Sequence, residues 1–262
     1  MLNFKALKEA VGINVVPARS VSAVSTMALM FFLAGLTFGA TGLGAMLLMT
    51  LLSGSRLGKH ASAKHGISKS ESSRLGGLAV SIVVIIYIAG LSAMSPYTPG
   101  VLRGDHYLHL WGAVFCCCVL GFAEDIRPDF LTPMLRLGAK FFVCGALLWL
   151  SPIFVPLSVG SFAIDFLLNI PILGWALVTV FAVGFINAIN MADGANGLVP
   201  GIAVASLSVF FMEYGRPMDG ALLFAFSIFF IFNVISGWYF LGDMGSYGLG
   251  AILLGYGLLG VV

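Results

Sequence analysis

The feature that most constrains the fold of this chain is the spacing of its charged residues. Eight long stretches contain no Asp, Glu, Lys or Arg, and we call them charge-free runs. They cover residues 20–55, 75–102, 106–123, 141–164, 166–192, 194–212, 220–242 and 244–262. Each is 18 to 36 residues long, and about 20 apolar residues are enough for a helix to cross the hydrocarbon core of a bilayer. The runs therefore predict about eight transmembrane helices.

The composition also favours a membrane protein over a soluble one. Hydrophobic residues make up 60% of the chain and charged residues 9%, whereas soluble domains average about 45–50% and 25%. Eight spans would use roughly 160 residues, which leaves no room for a separate soluble domain. We therefore predict an all-α, polytopic integral membrane protein in which residues 1–262 form a single transmembrane domain. The net charge of +2 argues against a nucleic-acid partner, because nucleic-acid-binding surfaces are strongly basic.

The first charge-free run is long for a single helix. It covers 36 residues and contains Gly35, Gly39, Gly42 and Gly44. It therefore predicts either a tilted helix or a broken one.

The distribution of cations predicts which loops face the cytoplasm. Five of the 13 Lys and Arg residues fall within segment 56–74, and cytoplasmic loops carry an excess of these residues. Because successive helices cross in opposite directions, segments 124–133, 187–197 and 239–246 are expected on the same side as this loop.

Polar side chains that are unusual within a membrane collect in these three segments. They are Glu124, Asp125, Asn187, Asn190, Asp193, Asp243 and Ser246. A carboxylate within a span costs about 2.5–3.5 kcal/mol on insertion scales, and neighbouring carboxylates repel one another unless cations compensate them. Mg²⁺ binds to one or two carboxylates and fills its other positions with water and phosphate oxygens. The clusters therefore indicate phosphate chemistry at the cytoplasmic face.

Each cluster also has an interpretation without chemistry. The acidic pair at 124–125 could be a solvated helix end. The polar residues from Asn187 to Asp193 are three apart on one side of a helix and could serve only interhelical hydrogen bonding. The glycines around Asp243 could serve only close helix packing.

Four motifs together resemble the polyprenyl-phosphate N-acetylhexosamine-1-phosphate transferase superfamily, membrane enzymes of the glycosyltransferase family 4 type. Their segments are K-H at 64–65 with R-L-G-G at 74–77, G-F-A-E-D at 121–125, N-A-I-N-M-A-D-G-A-N-G-L at 187–198, and F-L-G-D-M-G-S at 240–246. The third is close to the family pattern N-x-x-N-x-x-D-G-x-x-G-L and is the most specific. The resemblance extends from about residue 59 to residue 250.

The resemblance implies Mg²⁺-dependent transfer of a sugar-1-phosphate from a UDP-sugar to undecaprenyl phosphate, with release of UMP. Mn²⁺ is expected to substitute for Mg²⁺. Asp243 would be the main metal ligand, and Asn190 and Asp193 would complete or orient the metal site. Asp125, with Glu124 beside it, stands where the family has a carboxylate that either deprotonates the lipid phosphate or acts as the nucleophile.

The resemblance further implies which residues bind the substrates and where the protein resides. Lys64, His65 and Arg74 would bind the diphosphate or nucleotide, and Asn187 and Asn190 would take part in substrate binding. Asp193 would also belong to the catalytic group. We expect a multi-pass protein of the bacterial inner membrane whose site faces the cytoplasm, acts in cell-wall, lipopolysaccharide or exopolysaccharide synthesis, and can form a homo-oligomer.

Three departures from the family pattern affect these expectations. Glu124 replaces an Asp, and its extra methylene moves the carboxylate by about 1 Å, enough to perturb a catalytic site. Asn196 replaces an acidic residue that is frequent in the family. Family members also continue through further helices and a His- or Arg-rich loop after the last motif, so we expect either a C-terminally truncated fragment or a natural short form.

Two other functions are compatible with the sequence. The first is a catalytically silent protein, either a truncated paralogue or a membrane partner that binds polyprenyl phosphate. The second is a transporter, which would need ionisable groups near the bilayer midplane and repeated broken helices. The carboxylates here lie at the ends of the predicted helices, and no internal repeat is visible, which disfavours a transporter.

Overall fold

Helices dominate the computed structural model, which describes residues 18–54, 59–60, 72–94, 105–127, 131–237 and 239–259. Within these ranges, the helices of 17 or more residues are α1 (Ala18–Gly54), α2 (Gly76–Met94), α3 (Asp105–Ile126), α4 (Pro133–Leu150), α6 (Pro171–Ala192), α7 (Leu198–Tyr214), α8 (Pro217–Ser236) and α9 (Gly242–Leu259). The shorter elements are helix α5 (Phe162–Leu168), a 3-10 turn (Pro152–Phe154) and the antiparallel two-residue strands β1 (Lys59–His60) and β2 (Ser72–Ser73).

The eight long helices correspond one to one with the eight charge-free runs. Among the described residues, five segments are long and apolar enough to cross a membrane: Ser25–Ser53, Tyr107–Ile126, Pro133–Leu150, Pro171–Ala192 and Pro217–Ser236. Two shorter apolar helical segments are Gly76–Gly90 and Leu198–Tyr214. The prediction of an all-α, polytopic membrane protein is therefore confirmed.

Helix α1 is broken at Gly39. This residue has φ 61° and ψ −143°, a backbone conformation open mainly to glycine. A Cβ at Gly42 would lie 2.3 Å from the carbonyl oxygen of Ala34, although residues eight apart in a straight helix are about 12 Å apart. The chain therefore turns sharply at Gly39, and the first charge-free run forms a broken helix rather than a tilted one.

Helix α4 begins eight residues before the corresponding charge-free run. Pro133 occupies its first turn, and the Thr132 side chain caps it by accepting the Leu135 N–H at 3.3 Å. Arg136 and Lys140 consequently lie inside the helix. Charged residues marked the limits of the runs, but a charged side chain can lie within a helix when it has a partner, as both of these have.

Helix α9 lies at the centre of the bundle and brings the motifs together. Every residue from Gly245 to Tyr256 is buried, and α9 packs on α3, α6 and α2. Helices α3, α6 and α8 finish, and α2, α4, α7 and α9 begin, at one end of the bundle, which we call the motif end. All four sequence motifs have described residues at this end.

Candidate active site

The first turn of α9 is held by two carboxylates from neighbouring helices. Asp125, in the last turn of α3, accepts the backbone N–H groups of Asp243 at 2.9 Å and Met244 at 2.8 Å. Asp193, which follows α6, accepts the N–H of Gly242 at 2.9 Å. The first N–H groups of a helix have no partners within the helix and favour negative charge. The two carboxylates therefore complete the start of α9 and fix it against α3 and α6.

Asp243 is half-buried in this first turn and is joined to α6 through Asn190. The Nδ2 group of Asn190 donates to Oδ1 of Asp243 at 2.7 Å and to the Ser246 hydroxyl oxygen at 2.9 Å. The Asn190 amide on α6 thus bridges two side-chain oxygens of α9 at the motif end. The interhelical hydrogen bonding that the asparagine spacing predicted does occur, and it is centred on the carboxylate of the last motif.

Three carboxylates from separate segments therefore gather around the start of α9. Burial raises the pKa of Asp193 to about 8, and the negative charges of Asp125 and Asp243 act in the same direction. Arg74 lies close enough to Asp125 to interact with it electrostatically. A cluster of like charges at low dielectric favours further cationic compensation.

Lys140 supplies a cation that the sequence analysis did not identify. Its side chain comes from α4, is 3% exposed, and donates from Nζ to Oδ1 of Asn187. The ammonium also lies 3.9 Å from the centroid of the Tyr247 ring, and Asp243 attracts it electrostatically. Lys140 therefore connects the asparagine motif on α6 with the aspartate motif on α9.

Lys140 was missed because it was used only to mark the end of a charge-free run. Its spacing of four residues from Arg136 was the available signal, since residues four apart share one face of a helix. That spacing gives two cations on one side of α4, facing the acidic segments.

Glu124 and Asp125 point to different partners although they are adjacent in sequence. Oε1 of Glu124 lies 3.2 Å from Nη1 of Arg136 on α4, whereas Asp125 binds to the backbone of α9. Glu124 is 5% exposed and Asp125 is 1% exposed. The interpretation of this pair as a solvated helix end is therefore wrong, because both carboxylates are enclosed by other helices.

The R-L-G-G segment is bound by backbone hydrogen bonds to the segment that precedes Asp243. Gly76 N–H donates to the Phe240 carbonyl at 3.0 Å, and Gly77 N–H donates to the Leu241 carbonyl at 2.7 Å. A Cβ at Gly77 would lie 2.3 Å from the backbone N of Gly245, so only glycine permits this approach of α2 to α9. Close packing and site assembly thus use the same glycines.

Asn233 was also missed, and it joins two motif-bearing turns. Its Oδ1 accepts the Gly197 N–H at 2.6 Å, and its Nδ2 donates to the Tyr239 carbonyl at 2.7 Å. The residue is 1% exposed. The turn after Asp193 and the turn before Asp243 are therefore held by one amide. A single Asn inside the apolar run 220–242 was the signal for it.

The predicted site residues fall into two groups. The structure brings together Glu124, Asp125, Asn187, Asn190, Asp193 and Asp243 at the motif end, with Arg74 at their edge. Lys64 and His65 lie outside the described residues, so their predicted role in substrate binding stays a prediction.

The arrangement around Asp243 fits Mg²⁺ by its donor chemistry. In the described part of the chain, no group of three or more His, Cys, Asp and Glu side chains is arranged to hold a metal ion. Asp243 nevertheless offers a carboxylate and Ser246 a hydroxyl as oxygen ligands, and the Asn190 amide N–H group binds to both of them. Mg²⁺ needs one or two protein carboxylates and takes its remaining ligands from water and phosphate. Asp193 is more deeply buried than Asp243, and its carboxylate already accepts the N–H of Gly242.

Three bacterial relatives are named phospho-N-acetylmuramoyl-pentapeptide-transferase. The protein from Latilactobacillus sakei is 32% identical over 168 residues, covering 57% of this chain and 52% of the relative. The one from Streptococcus uberis is 28% identical over 208 residues, covering 74% and 61%. The one from Listeria welshimeri is 38% identical over 109 residues, covering 35% and 33%. The chain spans about half the length of the curated relatives it matches.

A family model described as glycosyl transferase family 4 matches residues 107–261, more than half of the chain. This range contains α4 to α9, nearly all of α3, and the three carboxylates that gather at the motif end. The match confirms the resemblance inferred from the motifs. The chain therefore belongs to glycosyl transferase family 4.

Proposed function

We propose that this protein transfers a sugar-1-phosphate, specifically an N-acetylhexosamine-1-phosphate, from a UDP-sugar to undecaprenyl phosphate and releases UMP. This reaction begins the assembly of a cell-envelope glycan. The observation that carries the proposal is the gathering of Asp125, Asp193 and Asp243 with Lys140 at one end of a membrane-spanning bundle. The names of the relatives, which describe transfer of a phospho-sugar, support the same reaction class.

The site supplies what phosphoryl transfer requires. Such reactions depend mainly on positioning and on neutralisation of charge rather than on elaborate side-chain chemistry. Asp243 would hold Mg²⁺, which would neutralise charge on the diphosphate when bound, and Asn190 would orient that carboxylate by donating to it. Lys140 and Arg74 offer N–H donors to phosphate oxygens, and Asp193 orients the Asp243 segment by binding to the backbone before it.

Asp125 is the residue proposed to act on the acceptor. Either it takes a proton from the lipid phosphate, whose oxygen then attacks the sugar-bound phosphorus and displaces UMP, or its own carboxylate attacks first. Each of its oxygens accepts one N–H from α9, and a carboxylate oxygen has a second lone pair for a proton. The backbone bonds hold the carboxylate in a fixed orientation for either route.

An apolar cavity that is open at the outer surface of the helices supports a lipid acceptor. It measures about 600 Å³ and lies between α5, α6 and α9. Its lining carries no charged side chain, lies on α9 within residues 253–258, towards the end opposite the motifs, and extends along α6 to Phe185. A prenyl chain that ran from this cavity along α6 and past Phe185 would reach the motif end with its phosphate. We also propose that the motif end faces the cytoplasm of the inner membrane, where UDP-sugars are available.

Transfer of labelled sugar phosphate from UDP-N-acetylhexosamine to undecaprenyl phosphate, measured on purified protein in detergent with Mg²⁺, tests the proposal. Asp243→Ala should abolish formation of the lipid product because the main metal ligand is lost. Asp165→Asn is the control, since Asp165 lies in an exposed segment away from the motif end, and it should leave the rate unchanged. Full activity of Asp243→Ala would exclude the proposed metal site.

A second candidate is a protein that binds polyprenyl phosphate without turnover. It is favoured by one observation, that the carboxylates of Asp125 and Asp193 already serve as acceptors for the start of α9. Equilibrium binding of radiolabelled undecaprenyl phosphate distinguishes the two functions. Retention of the lipid by intact protein that forms no lipid-linked sugar from any UDP-N-acetylhexosamine would favour the second candidate.

A further inference from the structure

Lys140 has two neighbours that fix its position without neutralising its charge. One is the Asn187 amide oxygen, which accepts a hydrogen bond from Nζ. The other is the face of the Tyr247 ring, whose centroid lies 3.9 Å from Nζ. An ammonium has three N–H donors, so these contacts leave donor capacity for an incoming anion. Lys140 and Tyr247 are each 3% exposed, so water does not replace either contact.

Asp243 is the competing partner for this ammonium. Of the described groups that act on Lys140, Asp243 attracts its ammonium most strongly. A desolvated ammonium without another partner would move to this carboxylate, because a close ion pair is strong at low dielectric. Such a pair would occupy the carboxylate that the metal site requires.

An aromatic ring can hold a buried cation in a way that an aliphatic side chain cannot. The ring face carries partial negative charge, and a desolvated cation–π contact is worth about 2 kcal/mol or more. Tyr247 lies one turn beyond Asp243 on α9, and its ring faces Lys140 from the same helix that carries the carboxylate. The ring therefore gives the Lys140 ammonium a binding partner other than the Asp243 carboxylate, on the same helix.

We propose that Tyr247 is a positioning residue that holds Lys140 away from Asp243, so that the carboxylate stays available to a divalent cation and the ammonium to a phosphate oxygen. This inference rests on the proposed function, because it assumes the metal site at Asp243. The ring face is the part of Tyr247 that does this.

The phenol end of Tyr247 has a separate neighbour. Arg136 interacts with the Tyr247 side chain and also forms the ion pair with Glu124. The acidic pair of α3 is thereby connected to the ring that holds Lys140. This contact orients the ring, and its loss is expected to matter less than loss of the ring itself.

Binding of Mn²⁺ to the purified full chain in detergent, followed by electron paramagnetic resonance without lipid or nucleotide, tests the inference independently of activity. Tyr247→Met removes the ring and should weaken Mn²⁺ binding by roughly five- to thirtyfold, the range expected for loss of a desolvated cation–π contact. Tyr247→Phe keeps the ring face and should bind Mn²⁺ within about twofold of the unchanged protein, because the cation–π contact remains. Tyr247→Leu is a second ring-free variant, and unfolding midpoints in EDTA identify variants that fold.

The dependence on Lys140 separates positioning from a general packing effect. Lys140→Met removes the positive charge beside Asp243 and should bind Mn²⁺ at least as tightly as the unchanged protein. In that background Tyr247→Met should have no further effect. Asp243→Asn is the control for the metal site and should abolish Mn²⁺ binding. If it does, two results would overturn the positioning role of Tyr247: unchanged Mn²⁺ affinity in folded ring-free variants, or the same weakening with and without Lys140. Unchanged affinity in Asp243→Asn would overturn the metal site and this role together.

Discussion

Individual side chains at the motif end have both a structural role and a proposed chemical role. Asp193 is buried against the start of α9, and its pKa is raised to about 8 by burial, with the charges of Asp125 and Asp243 adding to the effect. Asp165 has the opposite environment in an exposed segment. The Val159 N–H and the Ser158 hydroxyl bind to its carboxylate and lower its pKa. Two aspartates of one chain therefore respond to pH with opposite sign.

The residue-scale prediction concerns the stability of the metal-free protein. Because the folded-state pKa of Asp193 is raised above that of the unfolded chain, its contribution to stability is present in acid and is lost as pH rises through about 8. Asp193→Asn retains an oxygen acceptor for the Gly242 N–H and should raise the unfolding midpoint in EDTA much more at pH 8.5 than at pH 5. The control Asp165→Asn should lower the midpoint at neutral pH. A lower midpoint for Asp193→Asn at pH 8.5 would contradict this assignment.

At the scale of the element, the motif end depends on how closely α9 approaches its neighbours. A Cβ at Gly121 on α3 would lie 2.2 Å from the carbonyl oxygen of Asp243. Backbone atoms cannot move aside as a flexible side chain can, so α3 and α9 contact each other through glycine at this level. The same contact brings Asp125, one turn later on α3, to the first N–H groups of α9.

Substitution of two glycines on α3 tests this close approach. Gly121→Ala should destabilise the protein by roughly 1–3 kcal/mol or more through overpacking and should reduce transfer activity by separating Asp125 from α9. Gly112→Ala is the matched control on the same helix, since no atom lies within 4 Å of its added Cβ. It should be neutral or stabilise α3 by about 0.5–1 kcal/mol. Thermal unfolding midpoints in detergent report both effects, and equal midpoints would argue against the contact.

At the scale of the whole molecule, different interactions hold the helices together at the two ends of the bundle. At the end opposite the motifs, Arg216 pairs with Asp219 at 2.8 Å and donates to the Tyr107 hydroxyl at 2.6 Å. Its guanidinium also lies 4.6 Å from the ring centroid of Tyr256. Tyr256 is 13 residues beyond Asp243, about 20 Å along α9. This ion pair therefore anchors α3, α8 and α9 far from the chemistry.

This separation predicts that stability and activity can be changed independently. Asp219 is 0% exposed, and breaking a buried ion pair typically costs about 3–5 kcal/mol. Asp219→Asn should therefore lower the unfolding midpoint while activity per folded molecule at low temperature stays close to that of the unchanged protein. Glu213→Gln, at an exposed position on α7, is the control and should change neither. Loss of activity in folded Asp219→Asn would show that the two ends are coupled.

Much of the fold was predictable because a bilayer constrains helices through length and polarity alone. Spans could be read from charge-free runs, and alternation placed Asp125, Asp193 and Asp243 at the same end. The limits of α4 were not predictable in this way, since Lys140 lies inside it. The four motifs in register also identified most of the residues of the site.

The sequence by itself determined the membrane class, the grouping of the acidic segments and the family, because hydrophobicity and motif spacing are properties of the chain. Only the tertiary structure decided which partner each charged group has: Asp125 the N–H groups of α9, Glu124 the guanidinium of Arg136, and Lys140 the Asn187 amide and the Tyr247 ring. These pairings join residues far apart in the chain. They depend on distances of a few ångströms between packed helices, which a linear order of residues does not specify.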